Sequence, residues 1–203
     1  MSWVVSHKYK FIFVHIPKTG GTSISGPKSI WKRAALFRYL GKEDVRPGGH
    51  RSIRRLGISH PVERRDYFKF AFMREPFERV ASLYYSIARH DENKDLRFDE
   101  FVKTLPLLNK FMAFARSQTW WIKNEDGSIG VDWLGDFANI SEDFEGLCPK
   151  IGLPPIRLPK LNSSGRIEYQ ELYNDESRKV VRELFVEDFE LYLNVKNRRE
   201  NTL

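Results

Sequence analysis

Two apolar segments that each stop at a basic residue constrain the fold more than any other feature of the sequence. The first spans residues 9–16 (YKFIFVHI) and breaks into PKTGG at 17–21. The second spans residues 66–74 (DYFKFAFMR) and breaks into REP at 74–76. Short runs rich in aromatic and β-branched residues predict buried strands, and a helical pattern follows each break. We therefore predict an α/β protein with a P-loop-like, three-layer fold, in which helices flank a central parallel sheet.

The rest of the chain alternates between helical patterns and loops. A helix should follow the Gly-Gly turn, with Thr22 or Ser23 as its N-cap. Pro76 suits the first position of a strong helical pattern over residues 76–90. Residues 119–138 look like short strands around a turn at Asp126-Gly127. Further helices are predicted at residues 29–40, 51–57, 97–105, 141–152 and 176–192.

Composition narrows the class of protein. A chain of 203 residues predicts a single domain over residues 1–203. Cys148 is the only cysteine, so the chain cannot form an internal disulfide. The sequence shows no signal-peptide pattern and no apolar run of the ~18 residues that a membrane span needs, so we expect a cytoplasmic protein.

The charge is unevenly placed along the chain. Residues 1–90 hold 18 Lys and Arg against 6 Asp and Glu, whereas residues 91–203 hold 16 against 21. This asymmetry predicts an anion-binding half, although a merely solvated basic face would give the same pattern. No cluster of His, Cys and Asp has convincing metal-ligand spacing, so no metal is expected.

Residues 17–23 (PKTGGTS), here called the phosphate loop, combine the features of a phosphate-binding turn. Gly20 and Gly21 let backbone N–H groups face an oxyanion, and Lys18 adds a positive charge. Three hydroxyl groups follow, those of Thr19, Thr22 and Ser23. The lysine precedes the glycines, whereas it follows them in the nucleotide triphosphatase pattern GxxxxGK[ST]. The sequence predicts no apolar strand that ends in an aspartate suited to bind magnesium, so we expect the loop to hold a phosphate without a metal. The alternative is an ordinary turn with a helix cap.

A second basic site lies at the end of the second strand. Ser82 follows Arg74 by eight residues, or about two helical turns. The two side chains of this Arg74 segment (residues 74–82) could hold a second phosphate, the arginine as a fork and the serine by its hydroxyl. The alternative is that Arg74 pairs with Glu75 or Glu78 and that Ser82 has no special role.

The two motifs together resemble the sulfotransferases that use 3′-phosphoadenosine 5′-phosphosulfate (PAPS). HIPKTGGTS is similar to the family's 5′-phosphosulfate loop, and FAFMREPFERVASLYY to its 3′-phosphate segment. The nearer resemblance is to the branch of the carbohydrate 2-O-sulfotransferases and their bacterial relatives. Four weaker stretches support it in order along the chain, namely GGHRSIRRLG, VDWLGDFANISEDFEGLC, LPKLNSSGR and VVRELFVEDFELY. The resemblance spans about residues 10–193.

The resemblance implies a role for each matching residue. Lys18 would stabilise the leaving phosphate, and His50 would be the general base that takes the acceptor's proton. Arg74 and Ser82 would bind the 3′-phosphate. The 5′-phosphosulfate would be held by Pro17, Lys18, Thr19, Gly20, Gly21, Thr22 and Ser23. Ser164 and Arg166 would also reach the nucleotide. The product would be 3′,5′-ADP, no metal would be required, and the acceptor would carry a hydroxyl, as a carbohydrate or a small metabolite does.

Several residues leave the assignment of roles open. His60 is an alternative to His50 as the base, and His15, just before the phosphate loop, reads as structural. The sequence departs from the family pattern at Gly26-Pro27, at Ala138, where the family often has Glu, and at Glu75, where several members have Asn. A basic run forms either a solvated face or a rim that binds an anionic glycan; its members are Arg51, Arg54, Arg55, Arg64 and Arg65.

Three other functions compete with sulfuryl transfer. A P-loop kinase of metabolites would need magnesium and is disfavoured by the position of the lysine. A nucleic-acid-binding module would suit the sequence pI of about 9.5 but would leave both strand-end motifs unexplained, so no nucleic-acid partner is expected. A relative that binds nucleotide without transferring anything is the third alternative.

Overall fold

A four-stranded, mostly parallel sheet underlies the fold. The computed structural model describes residues 3–25, 36, 40, 52–59, 61–158 and 168–200. Within them the strands are β1 (Trp3–Ser6), β2 (Phe11–Val14), β3 (Phe68–Met73) and β4 (Trp133–Asp136), adjacent in that order. β2, β3 and β4 are parallel, and β1 is antiparallel to β2. The predicted α/β class with a central sheet flanked by helices is confirmed.

The register of the sheet brings the carboxyl ends of the parallel strands to one edge. Phe13 lies opposite Phe70, and Met73 lies opposite Asp136. The two strands predicted from apolar runs are both present with tighter bounds. β1 was not predicted, and the tight turn that joins it to β2 includes Lys10 with a φ of 50°, so the first residues of the predicted strand belong to that turn.

Helices fill most of the remaining described sequence. In chain order they are α1 (Gly21–Ser25), α2 (Ile53–Ser59), α3 (Pro61–Asp66), α4 (Pro76–Ala88), α5 (Phe98–Phe111), α6 (Gln118–Ile122), α7 (Ile140–Leu147), α8 (Asp175–Leu184) and α9 (Val186–Glu200). Short 3-10 helices lie at Asp91–Asn93, Ala113–Ala115, Phe137–Asn139, Cys148–Ile151 and Tyr169–Leu172. In the part of the chain described here, no helix is both long and apolar enough to cross a membrane.

The chain divides into two compact units. The first comprises Met1–Met73 and Gln118–Asn162, and the second comprises Arg74–Ser117 and Ser163–Leu203. The first unit holds the sheet, and its core is built on stacked strand residues, among them Phe11, Phe13, Phe70 and Phe72, with Phe144 of α7. The second unit is helical, and its core includes Phe77, Val80, Phe101, Leu105, Val181 and Phe185. The single domain over residues 1–203 stays a prediction.

Some helix predictions need correction. α1 begins at Gly21, so Thr22 and Ser23 lie inside its first turn and neither is the N-cap. The helix predicted at 176–192 is two helices, because Phe185 leaves the helical conformation with φ −121° and ψ 30°. The helix predicted from residue 97 continues to Phe111 through Pro106. The helix predicted at 29–40 lies almost wholly outside the described residues.

The strands predicted over residues 119–138 are only partly present. Residues 118–122 form α6, in which Thr119, Trp121 and Ile122 are all buried. A short segment buried on all sides has the same hydrophobic pattern as a buried strand, which is why the sequence misled us. The turn does form, with Gly127 at φ +84°, but its flanks make only an isolated bridge between Lys123 and Ile129.

Candidate functional site

The phosphate loop leaves the carboxyl end of β2 with an unusual backbone. Lys18 has a φ of 69° and Gly20 a φ of 76°. The left-handed region is easy for glycine but costs a lysine conformational energy, and such strain concentrates at binding sites. Left-handed residues beside right-handed ones are the conformations from which N–H nests for anions are built. The φ values of Lys18 and Gly20 are therefore compatible with an anion site at this loop.

Hydrogen bonds within the loop and the turn that follows it hold this backbone in place. The buried Thr19 hydroxyl donates to the Ile16 carbonyl oxygen at 2.9 Å. The Ser23 N–H donates to the Gly20 carbonyl oxygen at 2.9 Å, which closes the first turn of α1. The Ser25 hydroxyl donates to the Gly21 carbonyl oxygen at 3.0 Å. The Thr19 hydroxyl proton is thus engaged within the chain, whereas the sequence suggested this hydroxyl as part of a phosphate-binding turn.

Close packing explains both glycines. A Cβ at Gly20 would lie 2.7 Å from Ile140 Cδ1 and 2.8 Å from Phe137 Cε2. A Cβ at Gly21 would overlap the imidazole of His15. That ring is buried and stacks on Phe13 with 5.7 Å between centroids, so its surroundings suit the structural role that the sequence suggested.

The Arg74 segment belongs to the second unit and is built from side chains. Arg74 Nη2 lies 2.8 Å from Glu78 Oε1, one helical turn along α4. Glu75 is the N-cap of α4, and its carboxylate accepts from the Glu78 N–H at 2.7 Å. Pro76 occupies the first turn as predicted, and Ser82 is half-buried two turns on. The pairing of Arg74 with Glu78 that the sequence offered as an alternative is thus present.

Burial shapes the electrostatics around this segment. Burial, more than any other cause, raises the pKa of Glu75 above its ordinary value. The pKa of Tyr169 is raised to about 12 by burial and by the neighbouring Glu75 and Glu78 carboxylates. The pKa of the fully buried Arg79 is lowered to about 10 by desolvation, against the opposing effect of Asp188. The start of α4 therefore mixes cations and carboxylates at low exposure.

The comparisons with known proteins agree with the two motifs. A family model described as the sulfotransferase family matches residues 1–193. The chain belongs to the sulfotransferase family. An uncharacterized protein of Archaeoglobus fulgidus is 29% identical over 106 residues, which cover 52% of this chain and 85% of that protein. No solved structure matches the chain at a significant level. Sulfotransferases generally take the sulfate group from PAPS, so the family is consistent with anion sites at both strand ends.

Part of the site expected of a sulfotransferase falls outside the described residues. His50, its alternative His60, and the nucleotide-side residues Ser164 and Arg166 all lie there. The segment that follows His50 is described from Ser52, which is buried. It then enters α2, which packs against α6.

The basic run after His50 is partly engaged within the fold. Arg54 Nε donates to the carbonyl oxygens of Lys123 at 3.2 Å and Asn124 at 3.1 Å. Arg65 pairs with Asp66, with 2.8 Å between Arg65 Nε and Asp66 Oδ1. Arg55 is exposed. Arg54 therefore helps to hold the turn at residues 123–129, which is a structural role that the run of arginines did not suggest.

One strand of the sheet ends in an aspartate, although the sequence predicted no strand whose final aspartate would serve well as a magnesium ligand. β4 ends at Asp136, which is 2% exposed. Its carboxylate oxygens accept from the Ala138 N–H at 3.0 Å and from Asn139 Nδ2 at 3.1 Å. The side chain thus caps the turn that follows the strand. Among the described residues, no group of three His, Cys, Asp or Glu side chains is placed to hold a metal ion.

A cavity of about 400 Å³ lies elsewhere in the first unit. Lys69, near the start of β3, and Asp132, just before β4, line it together with Asn124. Both strand positions are at the amino end of the parallel strands, whereas the phosphate loop follows the carboxyl end of β2. The cavity is therefore at the edge of the sheet away from the phosphate loop.

Sequence reasoning missed the residues that support the phosphate loop. Phe137 and Ile140 follow β4 and are more than a hundred residues away from Gly20 along the chain. Their only signal was the resemblance of the surrounding stretch to the family. The Arg74–Glu78 pair was visible in the sequence, since residues four apart on a helix are neighbours.

Proposed function

We propose that the chain transfers a sulfuryl group from PAPS to a hydroxyl-bearing acceptor such as a carbohydrate or a small metabolite. The observation that carries the proposal is the left-handed backbone at Lys18 and Gly20. In a member of the sulfotransferase family, a strained glycine-rich turn after a parallel strand is best explained by an anion that it binds.

The phosphate loop and the Arg74 segment have separate tasks in this proposal. Backbone N–H groups of residues 17–23 hold the 5′-phosphosulfate, and Lys18 stabilises the charge that develops on the leaving phosphate. Arg74 and Ser82 bind the 3′-phosphate, which ATP and AMP lack. Gly20 and Gly21 leave no room for a Cβ, so the two glycines preserve the loop backbone on which this fit depends.

The remaining roles rest on the resemblance to the family. His50 accepts the proton of the acceptor hydroxyl as a new bond forms between the hydroxyl oxygen and sulfur. The bond between sulfur and the 5′-phosphate oxygen breaks, and PAPS supplies the transferred group. Ser164 and Arg166 contact the nucleotide. Catalysis on this scheme comes mainly from positioning and from charge stabilisation.

The nature of the acceptor is the least constrained part of the proposal. An anionic glycan would need solvent-accessible cations near the base. Arg55 is exposed, whereas Arg54 is half-buried and donates to the carbonyl oxygens of Lys123 and Asn124. Arg55 is therefore the better residue of this run with which to test an anionic acceptor, since its side chain is open to solvent.

A kinase of metabolites is the competing function that the structure makes worth testing. Asp136 at the end of β4 is placed in sequence like a magnesium ligand after a strand. Against a kinase, both carboxylate oxygens accept hydrogen bonds from the following turn, and Lys18 precedes the glycines.

The deciding experiment is calorimetric binding of 3′,5′-ADP, 5′-AMP and Mg-ATP. We expect the wild type to prefer 3′,5′-ADP and Arg74→Ala to lose about 10- to 100-fold of that affinity, down to the level of 5′-AMP. Arg65→Ala, which removes an exposed, ion-paired arginine at the other edge of the sheet, is the matched control and should change nothing. Equal binding of all three nucleotides, or preference for Mg-ATP, would overturn the sulfotransferase assignment.

A further inference from the structure

Glu78 places a carboxylate directly beside Arg74, the residue proposed to bind the 3′-phosphate. Its Oε1 atom lies 2.8 Å from Arg74 Nη2, and the two side chains are only 28% and 14% exposed. An ion pair with so little solvent around it is weakly screened. The pair therefore acts on any anion that Arg74 binds.

In the part of the chain that the structure describes, the other charged and titratable groups around Arg74 do not supply a surplus of positive charge. On α4, Glu75 is a second carboxylate, and Arg79 is a second guanidinium that acts on Arg74 from a buried position. From the 3-10 helix at Tyr169–Leu172 comes the Tyr169 phenol, and from α9 comes the buried Asp188 that faces Arg79. Of these described groups, two are guanidinium ions and three are carboxylates, so they lack the surplus of cations that is usual at a phosphate site.

We propose that Glu78 sets the affinity of this chain for 3′-phosphorylated nucleotides through two opposed effects on Arg74. Its hydrogen bond orients the guanidinium, which favours binding. Its negative charge repels the 3′-phosphate, which weakens binding. Glu78 is thus a positioning and specificity-determining residue. This inference rests on the proposed function, because it needs Arg74 to contact the 3′-phosphate.

The two effects have a consequence for turnover. The 3′-phosphate is present both in PAPS and in the product 3′,5′-ADP, so the charge of Glu78 weakens the binding of both nucleotides. A weaker product complex dissociates faster. Glu78 therefore limits inhibition by 3′,5′-ADP while keeping Arg74 oriented for the incoming donor.

The test separates the charge of Glu78 from its hydrogen bond. Glu78→Gln keeps an oxygen that accepts from Arg74 but removes the charge, and Glu78→Ala removes both. We expect E78Q to bind 3′,5′-ADP about three- to ten-fold more tightly than the wild type, an effect that shrinks at high salt. E78A should bind 3′,5′-ADP less tightly than E78Q does, because it also loses the hydrogen bond that orients Arg74. The affinity for 5′-AMP, which has no 3′-phosphate, should change less than about two-fold in both variants.

Glu183 provides the matched control. It pairs with Lys179 at the same four-residue spacing on α8, with 4.0 Å between the charged atoms, but both side chains are exposed. Glu183→Gln removes the same charge from the same kind of pair and should leave both affinities unchanged.

The outcomes separate this inference from the proposed function. Calorimetry of wild type, E78Q, E78A and E183Q at low and high salt gives all the affinities needed. A wild type that binds 3′,5′-ADP and 5′-AMP equally overturns the proposed function, and this inference with it. A wild type that prefers 3′,5′-ADP, with an E78Q variant that does not bind it more tightly, overturns this inference alone. Equal affinities of E78Q and E78A overturn the orienting role of the hydrogen bond.

Discussion

The phosphate loop and the Arg74 segment follow the same local plan and use different chemistry. Each comes after a strand of the parallel sheet, has a basic residue at or next to its start and leads into a helix. In the phosphate loop the backbone is unusual, and apolar and aromatic side chains support it: His15, Phe137 and Ile140. In the Arg74 segment the backbone is ordinary, and charged side chains form the site.

A site whose positive potential comes from backbone N–H groups needs different supporting residues from a site whose positive potential comes from arginine side chains. Backbone N–H groups have no net charge, so burying them does not require a carboxylate to balance it. A loop built from them needs glycines and tight packing instead. A buried or half-buried arginine is costly to desolvate unless a carboxylate lies nearby. Arg74 has Glu78 as that carboxylate, and Arg79 has Asp188. The Arg74 segment therefore includes groups that oppose the binding of anions.

The largest expected effect comes from the buried cation within the Arg74 segment. Arg79 is 2% exposed, and its Nη2 atom donates to the carbonyl oxygens of Phe114 at 3.2 Å and Arg116 at 2.9 Å. Arg79→Met should destabilise the protein by about 3–5 kcal/mol, because it removes a buried cation that attracts the buried Asp188 carboxylate and deprives two carbonyl oxygens of this donor. Urea unfolding followed by circular dichroism measures the loss.

A double variant tests whether the charge of Asp188 is the cause. Arg79→Met combined with Asp188→Asn should recover part of the lost stability, since the amide carries no charge. If the double variant loses as much stability as the two single variants together, the destabilisation comes from lost packing. The Arg74 segment would then not need its carboxylates to balance buried cations.

The second prediction concerns the packing beneath the phosphate loop. Gly20→Ala should destabilise the protein, because the new Cβ meets a left-handed φ and also the Phe137 and Ile140 side chains. Gly127→Ala is the matched control, since Gly127 has a φ of 84° with no atom within 4 Å of a Cβ. We expect the Gly20 variant to lose about 1–3 kcal/mol more than the control in chemical unfolding. Equal losses would mean that backbone strain alone, and not close packing, requires this glycine.

The sequence predicted the parts of the fold that depend on local signals. β2 and β3 were identified from apolar runs, and Pro76 correctly marked the start of α4. The partnership of Arg74 with Glu78 followed from helical spacing, although it was only one of two interpretations. These features need no knowledge of distant residues, so a single sequence contains them.

The parts that the sequence did not predict depend on contacts between distant segments. Nothing in the residue type predicts a left-handed lysine at position 18, because lysine has no preference for that region. The contacts of Gly20 with Phe137 and Ile140 join segments that only the folded sheet brings together. Asp136 was missed at the end of a strand because β4 is four residues long and lies in a stretch predicted as a turn with flanking strands.

The third prediction tests the strain at Lys18. Lys18→Gly should stabilise the protein by up to about 1 kcal/mol, because glycine adopts a φ of 69° without strain. Lys10→Gly is the control, since Lys10 also has a positive φ, in the turn between β1 and β2. We expect both variants to gain similar stability, while only Lys18→Gly weakens the binding of 3′,5′-ADP. A loss of stability in Lys18→Gly would show that the lysine side chain holds the loop rather than the ligand.

The smallest expected effect is a pH dependence in the Arg74 segment. Burial raises the pKa of Glu75 above its ordinary value near 4.5, so the folded protein holds this proton more tightly than the unfolded chain does. Stability from this group is therefore fully present below pH 4.5 and is lost as the pH rises through the raised pKa. Glu75→Gln keeps an oxygen that accepts from the Glu78 N–H but cannot ionise. The variant should be more stable than the wild type at neutral pH, and the difference should vanish in acid. Unfolding free energies measured from pH 4 to pH 8 decide the point, because a constant difference across that range would mean that Glu75 acts through packing and not through its charge.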